Sequence, residues 1–197
     1  MADEIDFLGS LRSSGALKTG HFLLSSGRHS DQYVEKFDLL RQPHATSAAC
    51  TMIAARFRNQ DVNVVVGPTT GGIILAFETA RQLGVAAAYA ERASEGGTAR
   101  EFRRGTRFLP DSRVLVVDDI LTTGGSVRET LEALKSHAVE VVGIAVLVDR
   151  SAEPQDFNLP LVSLATMEIA TWPPEACPLC AQQVPLSKPG TTPVGIS

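Results

Sequence analysis

Asp118 and Asp119 stand side by side where the apolar run Val114-Leu115-Val116-Val117 ends and Ile120-Leu121-Thr122-Thr123-Gly124-Gly125-Ser126 begins. An apolar strand running into two carboxylates, then into a glycine-rich turn that opens a helix, suits a ligand held outside the end of a parallel sheet. Gly124-Gly125 lets backbone N–H groups converge on an anion at the helix N-terminus, and Thr122, Thr123 and Ser126 add hydroxyl donors. The carboxylates, expected at a solvent-facing strand end, would repel a bare phosphate. They fit a partner that wants acceptors, either ribose hydroxyls or a magnesium ion, and a sugar phosphate meets both demands. The run is not a nucleotide P-loop, since no Gly-Lys-Ser/Thr follows, nor is it a dinucleotide fingerprint.

A second glycine-rich turn, Gly67-Pro68-Thr69-Thr70-Gly71-Gly72, also follows an apolar run and precedes a helical pattern. Two such junctions in one sheet give one site for a phosphate and another for a pyrophosphate of the same ligand. The plainer alternative gives Thr69 and Thr70 only turn and helix-capping duties. Arg150 ends a third apolar run and offers a bidentate fork to a carboxylate, or else pairs with a nearby acid such as Asp149 or Glu153.

The elements that must carry these groups follow from hydrophobic periodicity. Ile5, Leu8 and Leu11 predict a short amphipathic helix over 4–12. Two strands, 21–24 and 33–37, flank a Ser/Gly turn, and a helix over 44–58 follows Pro43. Strands at 62–66, 86–90, 113–118 and 139–148 then alternate with helices at 72–83 and 125–137. That rhythm predicts an α/β fold with a parallel, doubly wound sheet. The insertion 91–112, with Gly96-Gly97 and many charges, predicts a mobile β-hairpin, and the Pro-rich tail after Ile169 an irregular ending.

The 13 residues from Val114 to Ser126 resemble the diphosphoribosyl-binding signature of type I phosphoribosyltransferases. The resemblance implies that Thr122, Thr123, Gly124, Gly125 and Ser126 cradle the 5-phosphate of phosphoribosyl pyrophosphate. Asp118 and Asp119 would contact its ribose and, mostly through water and ligand oxygens, Mg2+. Thr69, Thr70, Gly71 and Gly72 correspond to the pyrophosphate loop, with Arg92 as a further contact. Gly20-His21-Phe22-Leu23-Leu24-Ser25-Ser26-Gly27-Arg28-His29-Ser30 is similar to the amino-terminal hood of orotate phosphoribosyltransferases, as is the order of elements along nearly the whole chain. The ending from Cys177 to Gly190 resembles a bacterial branch of that family.

The family resemblance therefore implies transfer of ribose 5-phosphate to orotate, with Ser26, Thr122 and Arg150 on the base. It also implies one domain, with a hood over about 1–40 plus the tail and a core over about 43–169, in a symmetric dimer whose loop reaches the neighbouring subunit. One departure stands out. Many members carry catalytic lysines in the loop, whereas residues 91–112 hold Arg92, Arg100, Arg103, Arg104 and Arg107 instead. Arg100 and Arg103 are read as neutralising the departing pyrophosphate, and Arg104 and Arg107 as decorating a strand. Ser25 occupies a position where some members have Lys.

Composition narrows the alternatives. The 197 residues are 44% hydrophobic and 20% charged, which excludes collagen-like, coiled-coil and largely disordered classes. A net charge of −4 and the lack of a basic stripe or helix-turn-helix pattern count against nucleic acid as partner, and so against a non-catalytic regulator of the same fold. A purine phosphoribosyltransferase remains the nearer rival, distinguished by having no need of a carboxylate-binding arginine. The acidic start Met1-Ala2-Asp3-Glu4 and the absence of a long apolar stretch predict a cytosolic protein with no membrane span. Three cysteines, Cys50, Cys177 and Cys180, fit a reducing compartment. Cys177-Pro178-Leu179-Cys180 has the spacing of half a zinc site, but no second pair and no clustered histidine completes it along the sequence, so a turn in the tail is the expected reading.

Overall fold

The structure is a computed structural model and describes residues 7–24 and 26–189. Two compact units divide the chain, one formed by 1–39 with 168–197 and the other by 40–167. Ile5, Ser25 and Gly190 lie outside the described residues.

The larger unit carries the predicted α/β rhythm. Its sheet has the order β5-β4-β3-β6-β7-β8, formed by β3 (Val64–Pro68), β4 (Ala86–Arg92), β5 (Arg100–Glu101), β6 (Ser112–Leu121), β7 (Val139–Asp149) and β8 (Leu161–Thr166). All neighbours are parallel except β4 with β5. The helix α3 (Pro43–Phe57) precedes β3, while α4 (Gly71–Leu83) links β3 to β4 and α5 (Gly125–Leu134) links β6 to β7. Val64, Val66, Val114, Val116, Ile144 and Val146 share one apolar cluster with Val127 and Leu134 of α5. The alternate residues Val65, Leu115, Val117, Ala145 and Leu147 are buried too, and successive strand side chains point to opposite faces. The sheet is therefore covered on both faces, α4 packing on β3, β4 and β6 and α3 packing on α4.

The smaller unit has a three-stranded antiparallel sheet, β1 (Leu17–Leu23), β2 (His29–Val34) and β9 (Thr171–Trp172), in that order. It also has α1 (Phe7–Ser13), a 3-10 turn (Pro174–Ala176) and α6 (Pro178–Ala181), while α2 (Lys36–Leu40) spans its boundary with the larger unit.

Three expectations need correction. The second hairpin strand ends at Val34, and Lys36 already begins α2, so 35–37 are not strand. The tail is not irregular throughout. It adds β9 to the hairpin and then two short helical turns. The edge strand β8 has no counterpart in the periodicity reading, because four of its six residues are only half-buried and leave no clean alternation.

Candidate active site

The chemistry-bearing loops leave the carboxyl ends of neighbouring parallel strands. Val66 of β3 lies opposite Val116 of β6, and Leu121 of β6 opposite Asp149 of β7. One strand end thus delivers 69–72, the next Asp118 through Ser126, and the third Arg150.

Asp118 and Asp119 are buried rather than solvent-facing, at 5% and 3% exposure. That correction has a local cause, since each carboxylate turns back to take backbone and side-chain donors. Asp119 N–H donates to Asp118 Oδ1 at 2.8 Å, Ser126 Oγ–H donates to Asp118 Oδ2, and Ile120 N–H donates to Asp119 Oδ1 at 2.8 Å. The Asp pair is thereby oriented by the loop it precedes.

Gly124 caps α5 with φ 75° and ψ 10°, and makes no side-chain cap. That left-handed conformation favours glycine, and a Cβ there would also strike the Phe157 ring. Arg128 stacks over the same ring at 4.6 Å and donates to Asp156 O and Gln155 Oε1, so 155–157 backs the loop. The first N–H groups of α5 have no partner within the helix, and a helix N-terminus of this kind can hold an anion.

The other loop comes close. Gly71 sits so near Asp119 that any Cβ would fall on the carboxylate. The Thr69–Thr70 peptide is cis, and Thr69 N–H donates to Ala90 O at the end of β4. Thr70 takes the N-cap position of α4, but its hydroxyl makes no cap hydrogen bond.

The arginines divide sharply. Arg100 is 8% exposed and not a loop-tip cation. Its Nε donates to Glu129 Oε2 of α5 at 2.9 Å, and its Nη1 to Thr69 Oγ1 at 3.3 Å and Ala90 O at 3.2 Å. It joins the base of the hairpin to the loop after β3 and to α5, a position set by β5 pairing with β4 at Arg92 opposite Arg100. Arg103 is exposed, bound to Glu101 and to Ala93 O. Arg92 donates to Gly97 O across the hairpin. Arg104 lies in a turn with φ 56° and pairs with Glu91, so it does not decorate a strand. The Glu129 partner and the Phe157 backing escaped sequence reading, since nothing in local spacing links either to these loops.

Arg150 follows β7, and its N–H donates to Leu121 O at 2.9 Å, tying the β6 and β7 ends together. The neighbouring Asp149 carboxylate accepts from Ser151 N–H and Oγ–H. Ser26 is exposed in the β1–β2 turn of the smaller unit. The two buried carboxylates with adjacent oxygen donors fit a hard cation that takes oxygen ligands and keeps several waters, as Mg2+ does.

Residues 38–176 match the phosphoribosyl transferase domain family. An orotate phosphoribosyltransferase of Caldicellulosiruptor bescii is 43% identical over 185 residues, which is 94% of this chain and 96% of that one. The chain belongs to the orotate phosphoribosyltransferase family. Another member, from Pelotomaculum thermopropionicum, is 44% identical over 180 residues, 91% of this chain and 93% of its own. The crystal structure of orotate phosphoribosyltransferase from Aeropyrum pernix superposes with a TM-score of 0.69 at 33% identity, covering 81% of this chain and 93% of that one. The type I phosphoribosyltransferase fold is thus that of this orotate phosphoribosyltransferase family member, with its mostly parallel sheet and its two strand-end loops.

Proposed function

We propose that the chain transfers the 5-phosphoribosyl group of phosphoribosyl pyrophosphate to orotate, yielding orotidine 5'-monophosphate and pyrophosphate, in the cytoplasm and with Mg2+. The observation that carries this reading is the approach of Gly71 to the buried Asp119 carboxylate, which supports assigning pyrophosphate to the 69–72 loop and ribose to the Asp pair beside it. Relatives named orotate phosphoribosyltransferase along nearly the whole chain support the choice of base.

In this reading no residue attacks the sugar. The reaction is a displacement at the anomeric carbon, through a state with oxocarbenium character, in which the orotate ring nitrogen forms the new bond and pyrophosphate leaves with the electron pair of the old one. Catalysis then rests on positioning and charge. Thr122 through Ser126 hold the 5-phosphate against the α5 N-terminus. Asp118 and Asp119 orient the ribose hydroxyls, their own geometry fixed by Ser126 and the Asp119 and Ile120 N–H groups. The loop 69–72 and Arg92 take the pyrophosphate, and Arg103 follows it as it leaves. Arg100, buried between Glu129 and Thr69, keeps the two loops in register. Arg150 receives the orotate carboxylate as a charge-assisted pair, while Thr122 contacts the base. Asp118 and Asp119 would hold Mg2+ mostly through water, and the ion, when bound, neutralises pyrophosphate charge.

The hood with its tail and the core act as one phosphoribosyltransferase domain in this proposal, and Ser26 is assigned to orotate by resemblance. The deciding measurement is the absorbance change as orotate is converted in the presence of phosphoribosyl pyrophosphate and Mg2+, with adenine, guanine and hypoxanthine as competitors. Turnover with a purine and none with orotate would replace this reading by the purine one.

A further inference from the structure

In the smaller unit, four side chains from opposite ends of the chain converge. His21, His29, Cys177 and Cys180 each offer one ligand atom, and the four atoms all lie within 4.8 Å of one another. We propose that His21 Nε2, His29 Nδ1, Cys177 Sγ and Cys180 Sγ bind one zinc ion tetrahedrally, as a structural site that fastens the carboxyl-terminal segment to the β1–β2 hairpin. This reverses the sequence expectation that Cys177-Pro178-Leu179-Cys180 lacks partners, for the missing pair is present 156 residues away.

The backbone explains how each pair forms. Leu23 of β1 lies opposite His29 of β2. His21 is two residues before Leu23, within the register irregularity between Thr19 and Phe22, and its ring meets that of His29 edge-on with centroids 4.8 Å apart. Cys177 is the N-cap of α6, with Pro178 at its first position, and Ala181 N–H donates to Cys177 O. One such turn brings residues three apart onto one side, which presents both sulfurs together.

The separations suit a metal. With Zn–N of about 2.0–2.1 Å and Zn–S of about 2.3 Å, a tetrahedron has N···S edges of about 3.6 Å and an N···N edge of about 3.3 Å. The observed N···S separations are 3.4 Å (Cys177 to His21), 3.8 Å (Cys180 to His21) and 3.3 Å (Cys180 to His29), and the N···N separation is 2.9 Å. These four edges lie within about half an ångström of the ideal ones, and the other two, His29 to Cys177 and Cys177 to Cys180, are within 4.8 Å.

Proton accounting favours a metal over a hydrogen-bonded cluster. His21 Nδ1 lies 2.8 Å from Val184 O, and a carbonyl only accepts, so that nitrogen carries the proton. A metal-binding ring protonated there has a single lone pair to offer, at Nε2. Three groups, His29 Nδ1 and the two sulfurs, face that lone pair, and hydrogen bonding can satisfy only part of the set. A cation at the centre is met by all four donors, while the carbonyl fixes the tautomer and orientation of the ring, as outer partners of metal ligands do.

The segment also needs a fastening. From 173 to 189, Cys177 is the only buried residue, so this stretch has almost no apolar core of its own. It is held to β1 by the hydrogen bonds Leu23 N–H to Ser187 O and Ser187 N–H to His21 O. Metal binding can supply folding free energy where a small core does not. Two nitrogens and two sulfurs fill four positions, leaving none open for substrate, which marks a structural rather than a catalytic site.

The test uses the full chain, purified without chelator. Metal analysis should give one zinc per chain. After chelator stripping, titration with Co2+ should produce the visible bands of tetrahedral thiolate coordination, and zinc should displace them. Zinc should also slow alkylation of Cys177 and Cys180 about tenfold or more, since a bound thiolate is a poor nucleophile. Cys50 is an internal control, buried in α3 with its thiol pushed up to about 11 by burial. The variant Cys177→Ser with Cys180→Ser should lose zinc and the cobalt bands. Should that variant not fold, the cobalt titration and alkylation of the unaltered chain decide the matter alone. Absence of zinc with no cobalt bands, equal alkylation with and without zinc, or a Cys177–Cys180 disulfide in freshly purified reduced-cell protein would each overturn the proposal.

Discussion

In the proposed mechanism, two side-chain types carry separable duties. Arg150→Ala should remove a charge-assisted carboxylate bond worth about 1.5–3 kcal/mol, raising the orotate KM about 10- to 150-fold with little change in that of phosphoribosyl pyrophosphate. Steady-state kinetics with each substrate varied in turn checks this, and equal losses on both would indicate damage to the β6 and β7 ends that Arg150 N–H ties together. Asp118→Asn and Asp119→Asn should lower kcat/KM for phosphoribosyl pyrophosphate. Because both carboxylates are buried and accept hydrogen bonds, each variant should also lose about 1–2 kcal/mol of stability in urea. Either variant with full activity would remove that residue from the mechanism.

The elements supply geometry that no single residue has. Gly124 holds α5 at a left-handed turn against Phe157, so Gly124→Ala should cost about 1–3 kcal/mol in urea unfolding and weaken phosphoribosyl pyrophosphate more than orotate. Arg100 connects β5 to α5 and to the loop after β3, so it should behave as a positioning residue. A double-mutant cycle with Arg100→Ala and Glu129→Gln should give a coupling of about 1–3 kcal/mol in stability, read by denaturation without any substrate. A coupling near zero would return Arg100 to the role of a free pyrophosphate contact.

For the whole molecule, the outer side of α4 leaves Phe77 65% and Ile74 37% exposed beside a groove lined by Leu40, Pro43 and Ile73. A second copy of the chain is the occupant proposed for this face, in keeping with the dimer the family resemblance implies. Phe77→Asp should convert a dimer to a monomer in light scattering, and a dimer of unchanged mass would place the interface elsewhere. If the hairpin serves the neighbouring subunit, mixing Arg103→Ala chains with Asp119→Asn chains should restore part of the lost activity after subunit exchange. No helix among the described residues is long and apolar enough to cross a membrane.

The sequence alone determined the parallel part of the sheet and the two glycine-rich loops at its strand ends. Each strand of the core is a local apolar run, and each loop a local cluster of Gly, Thr and Asp, so both are visible within a window of a dozen residues. What it left open are encounters between residues distant along the chain. Asp118 and Asp119 are buried because their own loop folds back on them, and Arg100 because β5 returns beside β4 and meets Glu129. The edge strand β8, half-exposed, carries too weak an alternation to read. The four side chains proposed to bind zinc belong to a hairpin and a helical turn about 150 residues apart. Local pattern fixes which face of an element is apolar, whereas tertiary pairing decides which polar atoms meet across it, and no spacing along the chain encodes that distance.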